Sequence, residues 1–256
     1  MCSSDLFGAG IARRFAEKGA HVVVNDINTV NGEGVVAGIH NNGGSAIYVA
    51  ADVSSGKDTA ALVAAAVAEF GGLDIMVNNA GVPQRNMPMT EVTEEAFDQI
   101  FNVNVKSLYW AAIHGIPAMR ERGGGAIVNT ASELAIVATR NQAAYCAAKA
   151  GVLQFTKAMA LDHARDGIRI NAVCPGPVDT PLLASGREDR EAALIDIAQE
   201  TPMGRLGRPE EIAAAILFLA SADASFMTCP ALVDRQRGLQ GRRLDTRGRL
   251  ALLHAL

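Results

Sequence analysis

The sequence predicts an α/β fold: a doubly wound parallel sheet with helices on both faces. Three observations predict it. Short apolar and β-branched runs alternate with longer helix-compatible stretches down the 256 residues, the pattern of strands joined by helical crossovers. Each run stops at a turn signal or a polar residue, as strands buried on both faces do. Neither an interdomain linker nor an internal repeat breaks the pattern, so residues 1–256 read as a single domain, a length that one α/β core accommodates.

The elements follow in order. Residues 9–18 are helix-compatible, and His21-Val22-Val23-Val24 is a strand ending at Asn25-Asp26. Ala46-Ile47-Tyr48-Val49 is the next strand, before Asp52, and an Ala/Val-rich helix covers about 58–70. Leu73-Asp74-Ile75-Met76-Val77 runs into the turn Asn78-Asn79-Ala80-Gly81. Helical periodicity spans much of 94–120; Ala126-Ile127-Val128-Asn129-Thr130 is a strand, and a helix over about 142–164 comes after it. Ile168-Arg169-Ile170-Asn171-Ala172-Val173 then stops at Pro175-Gly176. No strand precedes the helix over 9–18, so the predicted sheet lacks its first strand. Ligands of such sheets bind beyond the carboxyl ends of the strands. Asp26, Asp52, the Asn78–Gly81 turn, Ser132 and Pro175-Gly176 all lie there and aim at one crevice.

Composition narrows the function. With 49% hydrophobic and 20% charged residues, the chain is globular rather than disordered. A formal charge of −4 gives no reason to expect nucleic acid. No apolar run reaches the roughly 20 residues that span a bilayer, and the first residues lack the basic-then-apolar pattern of a signal peptide. Cys2, Cys146, Cys174 and Cys229 have no paired spacing, and the five histidines have no ligand spacing. The expectation is a cytoplasmic protein without a metal.

Several residues suit a dinucleotide. An acidic side chain at Asp26 accepts hydrogen bonds from a ribose and repels the extra phosphate of NADP, and Ile27 follows it rather than a phosphate-binding Arg. This favours NAD; the plainer role for Asp26 is a turn or cap residue. Asp52 and Val53 offer an edge for adenine, and Asn79, Ala80 and Gly81 offer a turn that lets a ligand approach backbone. The phosphate loop is the weak point. A dinucleotide site wants three glycines between the first strand and helix, and only Gly8 stands in place.

Tyr145 and Lys149 are spaced i and i+4, on one helix face. A free phenol, with a pKa of about 10, is a poor base at neutrality, and a neighbouring ammonium lowers it. Ser132, just past a strand, is placed to hold a substrate oxygen; its plainer role is a cap. Asn104 lies in a helical stretch that disfavours Asn, and either relays a proton through water to Lys149 or bonds to backbone.

Taken in order, Asn78-Asn79-Ala80-Gly81, Asn104, Ser132, Tyr145-x-x-x-Lys149 and Pro175-Gly176-x-x-x-Thr180 resemble the motif set of the short-chain dehydrogenase/reductase family. The likeness runs from about Gly8 to about Thr228. It implies a Rossmann-like fold and hydride transfer between NAD and a small-molecule alcohol or ketone. By this resemblance Tyr145 is the general acid/base, and Lys149 lowers its pKa and holds the nicotinamide ribose. Ser132 orients the substrate oxygen, Asn104 supports proton relay, and Val178 and Thr180 contact the carboxamide. Residues 181–205 resemble a substrate lid. The family forms tetramers or dimers through the helices of Asn104 and Tyr145, so a homotetramer or homodimer is expected.

Both ends depart from the family. Met1, Cys2 and Leu6 stand where Thr, Gly and Gly belong, and after Leu232-Val233-Asp234 the tail carries six Arg and no Lys. Both ends are expected to be sequence artefacts: Cys2–Leu6 is what one frame of a common sequencing-adapter end encodes, and the tail over 229–256 reads as out-of-frame GC-rich DNA. Two other functions compete, an NADP-linked reductase of 3-oxoacyl thioesters and a non-catalytic Rossmann-like scaffold. For the substrate, Gln84, Arg85, Asn86, Glu133 and Gln142 suggest a polar pocket for a polyol, sugar or hydroxy acid, whereas Met87, Met89, Leu182 and Leu183 suit an apolar one.

Overall fold

The structure, a computed structural model, describes residues 7–181, 183 and 189–229, together with the backbone of 231–233. The first helix, α1 (Phe7–Glu17), buries Ala9, Ile11, Ala12, Phe15 and Ala16, the three- and four-residue spacing of one apolar stripe. It leads into β1 (His21–Asp26). Helix α2 (Thr29–Asn41) starts where the Asn28 side chain accepts the Asn31 N–H, and it returns the chain to β2 (Ser45–Ala50). Helix α3 (Gly56–Phe70) is capped by Ser55 and ends on Gly71, whose φ of 77° is left-handed. Strand β3 (Ile75–Asn78) follows.

The helix expected over 94–120 is broken in the structure. It runs as α4 (Glu94–Phe101), a π-helical turn (Asn102–Lys106) and α5 (Ser107–Glu121). Then come β4 (Gly125–Thr130), α6 (Ala143–His163), β5 (Ile168–Cys174), α7 (Arg190–Glu200), α8 (Pro209–Ala220) and β6 (Ala231–Val233). Helices α2, α7 and α8 are additions to the sequence reading. The first carries Gly32, Gly34 and Gly38, which blur a helical signal. The last begins with Pro209 at its first turn, and Glu211 accepts the Arg208 N–H at 2.8 Å.

All strand pairs are parallel. One group is β1–β2; the other has the order β3-β4-β5-β6. Two helical layers cover the larger group, and β4 shows why. Ala126 and Val128 point into a core with Ile11 and Phe15 of α1 and Ile212, Ile216 and Leu219 of α8. Ile127, between them, points into the opposite core with Ile116 and Met119 of α5 and Met159 of α6. Alternate side chains of a strand face opposite ways, so a fully apolar strand serves both layers.

Strands β1 and β3 are not paired with each other. Their facing edges border a cleft of ≈ 1990 Å³, lined here by Val22, Val24, Ile75, Val77 and Phe15. All four residues of β3 are only part-buried, while Ala126–Asn129 of β4 are buried. An apolar strand thus has an edge strand's burial, and among the described residues no strand lies between β1 and β3. No helix among the described residues is long and apolar enough to cross a membrane.

Candidate active site

Toward the carboxyl ends of the strands the cleft becomes polar. Gly8, Asp26, Asp52, Val53, Asn79, Ala80, Gly81, Ser132, Tyr145, Lys149, Pro175, Gly176, Val178 and Thr180 all line it. Of the catalytic and cofactor residues expected from the sequence, Asn104 alone is absent from its wall.

Ser132 follows β4 in extended backbone, and its hydroxyl accepts the Leu134 N–H at 3.1 Å. It therefore caps a short 3-10 turn. The same hydroxyl acts on the Tyr145 phenol, favouring its ionised form. The cap role does not take Ser132 away from the cleft.

Tyr145 sits in the first turn of α6. Burial pushes its phenol up to about 12, and the Ser132 side chain only partly draws it back. The lowering expected from Lys149 is absent in the protein alone. The reason is in the geometry: the Lys149 Nζ stands 5.7 Å from the Tyr145 ring centre and donates to the Thr130 carbonyl at 2.8 Å. Lys149 is itself 4% exposed, and burial pulls its pKa down to about 8. An ammonium that is partly deprotonated near neutrality supports a phenolate weakly.

Asn104 lies in the π-helical turn, where the ladder leaves the Ile100 carbonyl to its side chain at 2.9 Å. The same amide donates to the Val82 carbonyl at 2.9 Å and accepts the Val82 N–H at 3.3 Å. Asn104 thus bonds to backbone, the plainer of its two readings. It presses on the cleft from behind. A Cβ at Gly81 would lie 2.8 Å from the Asn104 Oδ1 and 3.5 Å from the Lys149 Nζ, so only glycine leaves this floor open.

At the other end, Asp26 is 5% exposed, and its carboxylate accepts the Asn28 N–H at 2.9 Å. It is both a turn residue and part of the cleft wall. Asp52 is exposed and accepts the Ser54 N–H and hydroxyl at 2.9 and 2.8 Å. Asn79 accepts the Thr130 hydroxyl at 3.2 Å, joining the β3 turn to β4. Val178 and Thr180 are each 5% exposed, and Val178 is bridged to Gly207. Gly8 lines the cleft in the first turn of α1. A Cβ at Gly10 would meet no atom within 4 Å among the described residues.

The polar pocket residues divide. Arg85, Asn86, Met87, Glu133, Gln142 and Leu183 line the cleft, whereas Met89 is exposed in a separate short turn. Leu182, residues 184–188, Met1, Cys2, Leu6 and the tail from Asp234 lie outside the described residues. Gln84 lines the cleft as well, but its side-chain amide is engaged with the Met87 carbonyl and with the start of α6. Its partners there lie 57 to 61 residues away, so no local pattern reveals them.

A dinucleotide fits this arrangement. The cleft is long, has an acid at Asp26, a side-chain-free floor at Gly81 and a cation at Lys149. Such a fold and site define an oxidoreductase of the dinucleotide-binding α/β class. The chain belongs to the short-chain dehydrogenase/reductase family. Residues 5–234 match the family model described as Enoyl-(Acyl carrier protein) reductase. The chain is 43% identical to 4-formylbenzenesulfonate dehydrogenase TsaC1/TsaC2 of Comamonas testosteroni, over 87% of this chain and 89% of that protein. It is 41% identical to cis-4-hydroxycyclohexanecarboxylate dehydrogenase of Sinomonas cyclohexanicum, over 86% and 87%. Among solved structures, 3-ketoacyl-(acyl-carrier-protein) reductase from Brucella melitensis complexed with NADH superimposes with a TM-score of 0.84 at 38% identity, over 91% and 93%. A variant of actinorhodin polyketide ketoreductase with NADPH superimposes at 0.87 with 33% identity, over 91% and 93%. The chain is thus an oxidoreductase of CH–OH groups with a nicotinamide cofactor.

Proposed function

We propose that this chain is an NAD-linked dehydrogenase of a ring-bearing secondary alcohol or its ketone, with Tyr145 as general acid/base. The observation that carries the reading is that Ser132, Tyr145 and Lys149 share one cleft wall, with the Ser132 side chain acting on the Tyr145 phenol. The nicotinamide, when bound, supplies or accepts the hydride. Tyr145 gives the proton to the substrate oxygen in reduction and takes it in oxidation. Ser132 holds that oxygen beside the phenol. A bound positive ring and a protonated Lys149 both pull the phenol down from its raised value, so the residue becomes a usable base only in the loaded site. Asn104 stays behind Gly81 and shapes the floor through Val82.

Asp26 supports NAD over NADP, because a buried carboxylate at the strand end repels a 2′-phosphate. Gly8, Asp52, Val53, Asn79, Ala80, Pro175, Gly176, Val178 and Thr180 would hold the rest of the dinucleotide. For the substrate, the two relatives act on a six-membered ring bearing an anionic group. Arg85 and Arg140 both line the cleft, and their chain neighbours Gln84 and Asn141 are hydrogen-bonded at 2.9 Å. This supports a cyclic hydroxy acid. The likeness to a 3-ketoacyl reductase favours a 3-oxoacyl thioester as the second reading. Exposed Tyr109 and Ile113 on α5 and Leu161 on α6 support assembly as a dimer or tetramer.

Fluorescence titration with NADH and NADPH tests the cofactor, followed by a screen of cyclic alcohols with and without a carboxylate, a 3-oxoacyl thioester, and a Tyr145→Phe control. Saturable binding that prefers NADH, with turnover of a cyclic acid abolished in the control, is expected. Binding of neither dinucleotide would leave only the scaffold reading.

A further inference from the structure

We infer that Gln84 is the positioning residue of the site: it caps the helix that carries Tyr145 and fixes that helix against the turn after β3. The inference rests on the oxidoreductase reading for its consequence in turnover, but not for its structural basis.

Gln84 is 6% exposed, and its amide is saturated. Its Oε1 accepts two N–H groups of the first turn of α6, Ala144 at 2.9 Å and Tyr145 at 3.2 Å. Its Nε2 donates to the carbonyls of Asn141 at 2.9 Å and Met87 at 3.2 Å. The amide has one sensible orientation, because a flip would set NH₂ against two N–H donors and oxygen against two carbonyls. Its own carbonyl accepts from the Gln142 Nε2 at 3.2 Å.

A helix start leaves four N–H groups without partners inside the helix. At α6 the residue in the cap position, Gln142, makes no side-chain cap bond. The preceding Asn141 has a φ of 62°, in the left-handed region. The local sequence therefore does not cap this helix; a side chain 60 residues before Ala144 does. The same loop is pinned once more, at Val82 by Asn104. Only Pro83 lies between these pins, and Gly81 directly precedes the first of them. Gln84 consequently couples the backbone of Tyr145 itself to the floor over which the nicotinamide would lie. With the coupling cut, the first turn of α6 frays, and the phenol gains water and loses its register with Ser132.

Two variants test this. Gln84→Met keeps the length and removes all four bonds. Gln84→Glu keeps the oxygen that faces Ala144 and Tyr145. The readouts are NADH affinity, kcat, and the Tyr145 titration by phenolate absorbance after a rapid pH jump, with Tyr145→Phe as the blank. For Gln84→Met a fall in kcat of about 10- to 100-fold is expected, as for a misplaced reacting group, with NADH affinity changed less than about threefold. Its phenol should titrate at least about one pH unit below wild type, because burial holds it up. Gln84→Glu should keep the titration at or above the wild-type position and recover much of kcat. A wild-type phenol titration in folded Gln84→Met overturns the inference, whatever happens to kcat. Should Gln84→Met fail to fold, a titration in Gln84→Glu that falls as far below wild type overturns it instead. The titration needs no turnover, so an inactive wild-type chain would sink the oxidoreductase reading and leave this one standing.

Discussion

The ammonium of Lys149 donates to the carbonyl of Thr130 at 2.8 Å, which anchors the lysine to the last residue of β4 while burial drags its pKa to about 8. An unfolded lysine keeps its proton to about 10.5. Between these values the unfolded chain binds more protons than the folded one, so stability rises with pH. Tyr145 acts oppositely: its folded phenol keeps the proton to about 12, the unfolded one loses it from about 10, and stability falls above pH 10. The expected result is a rise in urea midpoint from about pH 8 to about pH 10, worth on the order of 3 kcal/mol at most. Lys149→Met should flatten it. An equal rise in both proteins would show that Lys149 is not the group responsible.

Gly81→Ala places a methyl 2.8 Å from the Asn104 Oδ1. Asn104 has no free direction to move, since its amide is bonded to Val82 and Ile100. A cost of about 1–3 kcal/mol is expected from overpacking, together with at least a roughly tenfold loss of NADH affinity. Thermal melts and a cofactor titration read the two effects separately.

A buried relay ties three elements together. Asn78 donates to Asn129 at 2.8 Å, Asn129 donates to Thr156 at 2.8 Å, and Thr156 donates to the Val152 carbonyl at 2.7 Å. Asn129→Leu should cost about 1–3 kcal/mol by taking a partner from the part-buried Asn78 amide and from the fully buried Thr156 hydroxyl. The double variant with Thr156→Val should cost less than the sum of the single ones. Strict additivity in denaturant titrations would mean the relay does not act as a unit.

Arg169 of β5 donates to four carbonyls at the end of α8 and beyond: Leu219, Ala220, Ser221 and Ala224, at 2.7 to 3.1 Å. These include carbonyls that the helix itself leaves unpaired. Arg169→Met is expected to lose about 2–3 kcal/mol. Arg169→Lys should recover little, because one ammonium cannot span the set.

The strands and the reacting side chains were legible because both are local patterns. Ile127 and Val128 read as strand whichever face they serve, and Tyr145 with Lys149 is an i, i+4 pair whatever surrounds it. What depends on partners far along the chain was not legible. Gln84 reads as a polar pocket residue until Ala144 and Tyr145 are seen against it. Asn104 reads either as a proton relay or as an amide bonded to backbone, and its bond to the Ile100 carbonyl comes from a π-helical turn that no sequence pattern announces. The raised phenol of Tyr145 is likewise a product of burial, which spacing does not encode.

The divided sheet has a consequence for isotope exchange. A parallel strand bonded on one side only leaves alternate amides without a ladder acceptor. β1 and β3 each have one described neighbour, whereas β4 is held between β3 and β5. Deuterium should therefore enter every second amide of Val22–Val24 and Ile75–Val77 long before it enters Ile127 or Val128. Labelling would then draw the outline of the cleft along the backbone, as two fast-exchanging banks beside a slow one.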